Sequence, residues 1–258
     1  MQPVRTWAKT SIEIAPMRQK NKPSKSPVVG IVDSPAALSV ALGLRAGSVD
    51  YLEWRADCLP ARLQIPPSRF PWILTVRHPL EGGKGDLSAA RRREIFTALL
   101  PAADTVDMEL RSFASLAGIM DSARSRNIRV VASFHDFKKT PVAGKLRDLV
   151  ARARDEGADI FKLATRAESP SDICRLLDLF SSSPLPLAVM GMGALGFGSR
   201  ILFAHCGSVL NYGWLHRPNV RGQWPALELK RILASQRVSP GPPRALDLRH
   251  DISHCSPI

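Results

Sequence analysis

The sequence predicts an α/β fold, a single (β/α)8 (TIM) barrel, because short apolar runs alternate with helix-like segments along most of the chain. Eight such runs fit into the 258 residues, a length that suits one barrel domain. The runner-up is a doubly wound open sheet, which usually has a glycine-rich turn after its first strand. Here the first strand ends in Val32-Asp33-Ser34-Pro35 without such a turn, so we favour the barrel.

The predicted strands are short apolar segments of the kind that parallel sheets bury on both faces. In chain order they run over Val28–Val32, Val49–Arg55, Trp72–Arg77, Thr105–Leu110, Ile128–His135, Ile160–Ala164, Pro186–Met190 and Cys206–Leu210.

Helices are predicted between most of these strands. Asp33-Ser34 supplies an N-terminal signal for the first helix, and Asp86 or Ser88 is a candidate cap for the second. The predicted helices are Pro35–Leu44, Ser88–Leu100, Ala114–Arg126, Gly144–Glu156, Ser171–Phe180, Ser199–Ala204 and Ala226–Ser235.

The two ends of the chain differ from the barrel in composition. Residues 1–26 form a basic arm, in which the alternation of Ser11–Ala15 favours a short strand at the barrel floor. Residues 27–236 are expected to form the catalytic barrel and residues 237–258 a Pro/Arg-rich tail. We find no internal repeat and no second domain.

The net charge of +13 is high, but the basic residues are scattered and have no aromatic residues interleaved. A solvated basic surface is therefore favoured over a nucleic-acid interface. No apolar stretch reaches the length of a membrane span, so no membrane partner is expected.

The cysteines are far apart and form no CxxC pair, which disfavours zinc and disulfides and fits a reducing, cytoplasmic setting. The N-terminus has no apolar core of a secretory signal, although its basic, acid-poor composition leaves an organellar transit peptide open. The cysteines are Cys58, Cys174, Cys206 and Cys255.

Side-chain alternation places polar groups inside the barrel. Leu52 and Trp54 suit the helix layer, so Glu53 and Arg55 should face the interior near its C-terminal mouth. The same parity places Thr75 with Arg77, Asp107 with Glu109, Ser133 with His135, and Ile160 with Lys162. Buried charges require partners. A structural ion-pair network accounts for Asp107 and Glu109 more readily than for the others.

Lys162 is the one lysine within an apolar predicted strand. In an apolar, cation-lined cavity a lysine amine should lose basicity, and a neutral amine can attack a ketone to form a Schiff base. The structural alternative is a lysine paired with a barrel carboxylate. Because His135 ends the adjacent strand, we favour the nucleophile.

His135 is the candidate acid and base, with a core histidine bonded to a carbonyl as the alternative. Asp136 points to the opposite face, so Glu81, in the loop after Arg77, is the expected orienting group. The histidines show no metal-ligand spacing. The glycine-rich stretch Gly191–Gly198 lacks the lysine of a phosphate-binding loop and is a weak signal.

Several motifs, in the right order over roughly residues 28–236, resemble the type I 3-dehydroquinate dehydratase family. They are Glu53-x-Arg55-x-Asp57, Thr75-x-Arg77-x3-Glu81-Gly82-Gly83, Ser133-x-His135-Asp136-Phe137-x2-Thr140-Pro141, Ile160-Phe161-Lys162, Met192-x3-Gly196-x2-Ser199-Arg200, Gly207-Ser208 and Gly222-Gln223. The resemblance implies a (β/α)8 barrel, a homodimer, and no metal or organic cofactor.

The resemblance also implies a mechanism on the small-molecule substrate 3-dehydroquinate. Lys162 would form an imine at C3, and His135, oriented by Glu81, would move the C2 proton and protonate the departing C1 hydroxyl. Syn elimination and imine hydrolysis would give 3-dehydroshikimate in the shikimate pathway. The implied substrate-binding residues are Arg200 for the carboxylate, Glu53, Arg55 and Arg77 for ring hydroxyls, Gln223 and Asn219 in a closing loop, and Met192 and Tyr212 as walls.

The sequence departs from the family pattern at a few positions. Gly191 replaces a serine, Asn219 and Arg221 alter the closing loop, and Tyr212 is a variant of the usual aromatic. No residue near Gly30–Asp33 matches the substrate-contacting serine of the first strand. Two alternatives remain open: a class I aldolase-like barrel enzyme and a non-catalytic sensor of quinate-like ligands.

Overall fold

Eight parallel strands curl into a nearly closed barrel in the computed structural model, which describes residues 26–235. Numbered in chain order, the strands lie side by side from the seventh back to the first, and the eighth lies beside the first. The backbone N–H of Val209, just before the last strand, donates to the Leu187 carbonyl at 2.8 Å and draws the two ends of the sheet together. The basic arm, its Ser11–Ala15 strand and the tail lie outside the described residues.

The elements alternate as a barrel requires, except that no helix joins β2 to β3. In chain order they are β1 Val28–Val32, α1 Pro35–Leu42, β2 Tyr51–Arg55, β3 Trp72–Thr75, α2 Ala89–Leu99, β4 Thr105–Glu109, α3 Ala117–Ser125, β5 Arg129–Asp136, α4 Ala143–Asp155, β6 Ile160–Arg166, α5 Pro170–Ser182, β7 Leu187–Met192, α6 Gly196–His205, β8 Asn211–Trp214 and α7 Ala226–Ser235. Single 3₁₀ turns lie at Pro79–Glu81, Leu100–Ala102, Leu110–Ser112 and Ala114–Leu116.

The predicted barrel is confirmed, as are the helix starts at Ser34 and Ser88. Each serine hydroxyl accepts an N–H of the first helical turn, at 3.2 Å in both helices. The predicted third helix begins later than expected, because residues 114–116 form a 3₁₀ turn before α3.

The predicted eighth strand at Cys206–Leu210 is wrong, because this apolar run is the loop between α6 and β8. Gly207 turns the chain with a left-handed φ of 104°. Ser208 is buried and its hydroxyl accepts the backbone N–H of Val189 in β7 at 3.2 Å. The strand follows at Asn211–Trp214.

A repeated hydrogen bond fixes the register at the floor of the barrel. The residue before each of β2, β4 and β6 is an aspartate whose Oδ2 accepts an N–H at the start of the preceding strand. The pairs are Asp50 with Val28 at 2.7 Å, Asp104 with Trp72 at 2.8 Å, and Asp159 with Val130 at 2.7 Å. In β7, the N–H of Val189 is accepted by the Ser208 hydroxyl instead. Each odd-numbered strand is thus hydrogen-bonded to the connection that follows it.

Two apolar clusters support the sheet. The larger lies between the strands and the helices and includes Trp54, Phe96 and Phe203. The smaller lies inside the barrel, with Ile73, Val131 and Ile160 among its members, and forms the floor beneath the polar groups. Within residues 26–235, no helix is long and apolar enough to cross a bilayer.

Candidate active site

A cavity of about 270 Å³ opens at the C-terminal ends of the strands, the end that carries the active site in barrels of this kind. It brings together every side chain that the sequence singled out for catalysis or substrate binding. These are Glu53, Arg55, Arg77, Glu81, His135, Lys162, Met192, Arg200, Tyr212, Asn219 and Gln223. They come from five strands, the loops that follow β3 and β8, and helix α6, so only the closed barrel assembles the set.

Lys162 projects from β6 into this cavity and is almost completely buried. Its Nζ lies 2.8 Å from Asp107 Oδ2 and 3.3 Å from Glu53 Oε1. The ring centroid of Tyr212 is 3.7 Å from the same nitrogen. The expected cations Arg55, Arg77 and Arg200 line the cavity. The amine itself, however, is in direct contact with two carboxylates, as in the structural alternative of a lysine paired with a barrel carboxylate.

Asp107 belongs to the interior ion-pair network that side-chain alternation predicts, since it pairs with Arg77. It is also the carboxylate nearest to Lys162, which the sequence pattern does not predict. Burial opposes its ionisation, but Arg77 and Lys162 outweigh burial and hold its pKa well below the usual range. Asp107 is therefore a permanent anion beside the amine.

Arg77, two residues after the end of β3, holds this cluster together. Its two terminal nitrogens donate to the two carboxylate oxygens of Asp107, each at 3.1 Å. It also donates to Glu109 at 3.0 Å and to Ser133 at 2.7 Å. Buried Arg92, which no sequence pattern selects, reaches in from α2 and pairs with Glu109. The interior carboxylates are thus held by arginines on two elements.

His135 lies at the end of β5 and contacts one oxygen of Glu81 through both its backbone and its ring. The backbone N–H donates to Glu81 Oε2 at 2.9 Å, and Nδ1 lies 3.1 Å from the same atom. Burial, followed by the charges of Arg77 and Lys162, lowers the pKa of His135 well below its ordinary value. The ring is therefore neutral near pH 7, and with Nδ1–H donated to Glu81, Nε2 is left to accept a proton.

The loop after β3 positions Glu81 beneath His135. It turns at Gly82, which has a φ of 84° and packs against Phe137, so that a Cβ at Gly82 would lie 2.7 Å from the phenyl ring. Burial, and then the nearby Glu109, raise the pKa of Glu81 to about 7. Glu81 therefore changes its charge within the physiological pH range.

Arg200 on α6 is a buried guanidinium with no carboxylate within ion-pair distance among residues 26–235. Its Nε donates to the Gly222 carbonyl and its Nη1 to the Tyr212 carbonyl, each at 3.2 Å. Burial lowers its pKa to about 10, which still leaves it charged at pH 7. A buried, uncompensated cation facing a cavity is suited to an anionic ligand.

Arg55 at the end of β2 is held at the rim of the cavity. Its Nε and Nη2 donate to the two oxygens of Asp57 at 2.9 and 2.8 Å. Burial disfavours its charge, but Asp57 outweighs burial and raises the pKa of Arg55 above its usual value. Arg55 is thus a fixed donor at the mouth.

The loop between β8 and α7, residues 215–225, closes over the cavity and is named here the lid. In it, the Asn219 N–H donates to Gln223 Oε1 at 2.9 Å. The Asn219 side-chain amide donates to Asp33 Oδ2 at the end of β1. Sequence reasoning carried over no first-strand contact, and the structure places Asp33 here as a partner of the lid.

Two glycines let the lid approach the loop after β7. Gly222 has a φ of 83°, and a Cβ there would lie 2.7 Å from both the Gly193 carbonyl oxygen and the Gly196 Cα. The absence of side chains at Gly196 and Gly222 therefore permits backbone-to-backbone packing, which brings the Gly222 carbonyl onto Arg200.

Comparison with known proteins agrees with this geometry. The family model for type I 3-dehydroquinase matches residues 32–240. The 3-dehydroquinate dehydratase of Methanocella arvoryzae is 35% identical over 168 residues, which cover 65% of this chain and 74% of that protein. The enzyme of that name from Latilactobacillus sakei is 33% identical over 213 residues, covering 77% of this chain and 88% of that protein.

Solved structures show the same likeness. The 3-dehydroquinate dehydratase of Geobacillus kaustophilus superposes with a TM-score of 0.76 at 26% identity, covering 84% of this chain and 93% of that one. The enzyme from Aquifex aeolicus VF5 gives a TM-score of 0.70 at 25% identity, covering 83% and 99%. Because the family model matches residues 32–240, which is most of the sequence, the chain belongs to the type I 3-dehydroquinase family.

Proposed function

We propose that this chain catalyses the dehydration of 3-dehydroquinate to 3-dehydroshikimate through an imine on Lys162. The observation that carries the proposal is one cavity lined by Lys162 and His135, on adjacent strands, and by Arg200, a cation without a carboxylate partner within residues 26–235. The substrate offers the matching groups, which are a ketone, an acidic C–H bond beside it and a carboxylate. Relatives at 33–35% identity carry the name of this activity.

The first stage joins the substrate to Lys162. After losing a proton, Nζ attacks C3 of the ketone, and the carbonyl oxygen leaves as water to give a protonated imine. Asp107 and Glu53 hold Nζ at the centre of the barrel until the ketone arrives. The imine then withdraws electrons from the C2–H bond.

The second stage is proton transfer by His135. Its neutral Nε2 takes the C2 proton, which leaves an enamine conjugated with the lysine nitrogen. The imidazolium gives a proton to the C1 hydroxyl, which departs as water and restores the protonated imine. A single imidazole serves both steps on one face of the ring, so the elimination is syn. Hydrolysis of the imine releases the product and Lys162.

The remaining side chains fix the substrate. Arg200 binds the carboxylate, for which a planar guanidinium is suited. In Glu53, only Oε1 makes hydrogen bonds within residues 26–235, which leaves Oε2 to accept from a ring hydroxyl. Arg55, Asn219 and Gln223 close the mouth, and Met192 and Tyr212 wall the ring. Arg77 donates to three neighbours already, so it contributes chiefly by holding Asp107.

The test is to incubate the protein with 3-dehydroquinate, follow the absorbance of the conjugated enone, and reduce with borohydride before measuring intact mass. We expect enone formation and one reduced adduct per chain. Lys162→Ala should abolish both. His135→Ala should still give adduct but turn over at least about 100-fold more slowly, the contribution typical of a general acid–base group.

The proposal would be wrong if the parent protein formed no enone, if the adduct survived Lys162→Ala, or if His135→Ala kept full turnover. An aldolase-like enzyme would give an adduct with a cleavable ketose and none of the enone. A sensor of quinate-like ligands would bind the substrate without any covalent adduct.

We further propose that the enzyme acts as a homodimer in the cytoplasm. The dimer is supported by the family resemblance, and the compartment by the widely spaced cysteines, of which Cys58, Cys174 and Cys206 are free in the structure. Light scattering coupled to size-exclusion chromatography tests the dimer, and fractionation of the source cells tests the compartment. A monomer, or recovery with membranes, would contradict these two proposals.

A further inference from the structure

Tyr212 occupies an unusual position inside the barrel. Its ring lies flat against the reactive nitrogen, with the centroid 3.7 Å from Lys162 Nζ. The side chain is 2% exposed, and its hydroxyl is buried without a hydrogen-bond partner among residues 26–235. Burial first, and then the charges of Glu53 and Asp107, raise the pKa of Tyr212 well above its ordinary value, so the phenol stays neutral and keeps its proton.

A buried hydroxyl without a partner destabilises a fold, and a phenylalanine would avoid this penalty at the same position. The contact with Lys162 needs only the ring. We therefore look for the role of the hydroxyl in a state of the site other than the resting one.

Counting hydrogen-bond donors identifies such a state. The ammonium of Lys162 has three N–H donors and spends two of them on Asp107 and Glu53. A protonated imine has a single N–H. When the imine forms, at least one of the two carboxylates must lose its bond to the lysine.

Glu53 is the carboxylate that depends more on the lysine. Asp107 keeps both bonds to Arg77 and one from Ser133 at 2.6 Å. Glu53 keeps a single hydrogen bond, from the Thr75 hydroxyl at 2.9 Å. Around Lys162 Nζ, the resting structure thus holds a carboxylate acceptor that imine formation deprives of a donor, and a tyrosine whose hydroxyl has no acceptor within residues 26–235.

We propose that Tyr212 is a catalytic residue of the imine stage, whose ring face stabilises the cationic nitrogen and whose hydroxyl donates to Glu53 once Lys162 has turned to the substrate. This rests on the proposed function, because it needs the imine. The ring favours the protonated imine over the neutral states that precede and follow it, since a cation above a ring face is stabilised most strongly where water is excluded. The hydroxyl lets Glu53 stay charged and hydrogen-bonded through the cycle.

The experiment compares Tyr212→Phe and Tyr212→Met with the parent protein and with Tyr51→Phe. Tyr51 is the other tyrosine of the chain, is also buried inside the barrel, and does not line the cavity. The measurements are kcat, KM and the fraction of chains that borohydride traps at saturating substrate. Thermal unfolding of each variant confirms that it is folded.

Tyr212→Phe keeps the ring and removes the hydroxyl, so kcat should fall about three- to tenfold, the effect of one lost hydrogen bond, while KM changes little. Tyr212→Met removes both, so the trapped fraction should also fall, by about tenfold. Tyr51→Phe should match the parent protein in kcat and in trapping. Replacing Tyr212 by a series of phenylalanine analogues with more and more ring fluorines should lower the trapped fraction stepwise, while the shape of the side chain stays the same.

Wild-type kcat and trapping in Tyr212→Phe would overturn the role of the hydroxyl. An unchanged trapped fraction across the fluorinated series would overturn the role of the ring, and this readout stays decisive if Tyr212→Met fails to fold. Failure of the proposed function is a separate outcome, because the parent protein itself would then trap no adduct.

Discussion

At the scale of single residues, the site depends on how charge is distributed around Lys162 and His135. The amine lies between two carboxylates, whereas the imidazole is kept neutral by burial and by neighbouring cations. The two reactive groups therefore lie in opposite electrostatic surroundings although their strands are adjacent. Arg77 makes this possible, because it compensates the carboxylates on one side and disfavours a charged His135 on the other.

Glu81 should set the lower pH limit of activity. Its pKa is raised to about 7, so below that pH it is protonated and no longer accepts the Nδ1–H of His135 as an anion. Titration of His135 does not add to the pH dependence near pH 7, because its own pKa is lowered well below 6.5. We expect kcat/KM to rise with pH through about 7, and Glu81→Gln to be slower but flat over the same range. A pH profile of both proteins is the measurement, and an unchanged limb in Glu81→Gln would assign it to another group.

Asp107 should be essential to the stability of the interior charge cluster. Asp107→Asn would leave Arg77 and Lys162 buried with one counter-charge fewer, at a cost of about 3–5 kcal/mol in the free energy of unfolding. Because the folded-state pKa of Asp107 is depressed, its contribution is present above pH about 4 and lost on further acidification. Urea unfolding at pH 7 is the measurement.

The matched control for Asp107→Asn is Glu94→Gln. Glu94 pairs with Arg91 on the surface and its side chain is 64% exposed, so its loss should change stability by less than about 1 kcal/mol. Equal destabilisation by the two substitutions would mean that the interior pairing adds no more than a surface ion pair.

Side-chain alternation within each strand predicted which residues face the interior, because that parity is a local property. It did not predict distances across the barrel. Asp107 and Lys162 are 55 residues apart and lie on β4 and β6, with β5 between them. Only the stagger of the closed barrel brings them within 2.8 Å, so the sequence could not show that Asp107 is the nearest partner of the amine.

At the scale of elements, the lid depends on a contact between two backbones. The Gly222 carbonyl accepts a hydrogen bond from Arg200, and the Gly222 Cα packs against Gly196. The seating of the lid and the orientation of the anion-binding arginine are thus one structural feature. Asn219 adds a second attachment through Asp33, which follows β1, the strand paired with β8.

Gly222→Ala should uncouple the lid from the barrel. The new Cβ would lie 2.7 Å from the Gly193 carbonyl oxygen, so the loop must shift, and a misplacement of this kind lowers kcat/KM by about 10- to 100-fold. Gly47→Ala is the control, because Gly47 has nearly the same φ, 82° against 83°, and open space around its Cβ position. Steady-state kinetics and thermal unfolding of both variants test the prediction, and equal losses in kcat/KM would attribute the effect to backbone strain alone.

The eighth strand shows where element prediction from the sequence ends. Cys206–Leu210 is more apolar than the true strand Asn211–Trp214, so a pattern of hydrophobicity favours the wrong segment. The true strand is defined by pairing with β1, in which Val29 lies opposite Tyr212. That pairing joins the two ends of the barrel and leaves no local signal.

At the scale of the whole molecule, the barrel separates stability from catalysis. Strands and helices alternate through most of residues 28–235, which is why the fold class could be predicted from the sequence. The aspartates at the floor could not be recognised in advance, because each binds a strand far away in the sequence, as Asp104 binds Trp72. The reactive groups lie at the opposite end of the same strands.

This separation can be tested with Asp104→Ala. The substitution leaves the buried N–H of Trp72 without its acceptor, which should lower the free energy of unfolding by about 1–3 kcal/mol. The values of kcat and KM should stay at those of the parent protein, because no cavity-lining residue contacts Asp104 through a side chain. Asp121→Ala, an exposed aspartate on α3 with only a 3.9 Å contact to Arg124, controls for the loss of one surface carboxylate. If Asp104→Ala lowered kcat without loss of stability, the floor would be coupled to the chemistry, and the two ends of the barrel would not be independent.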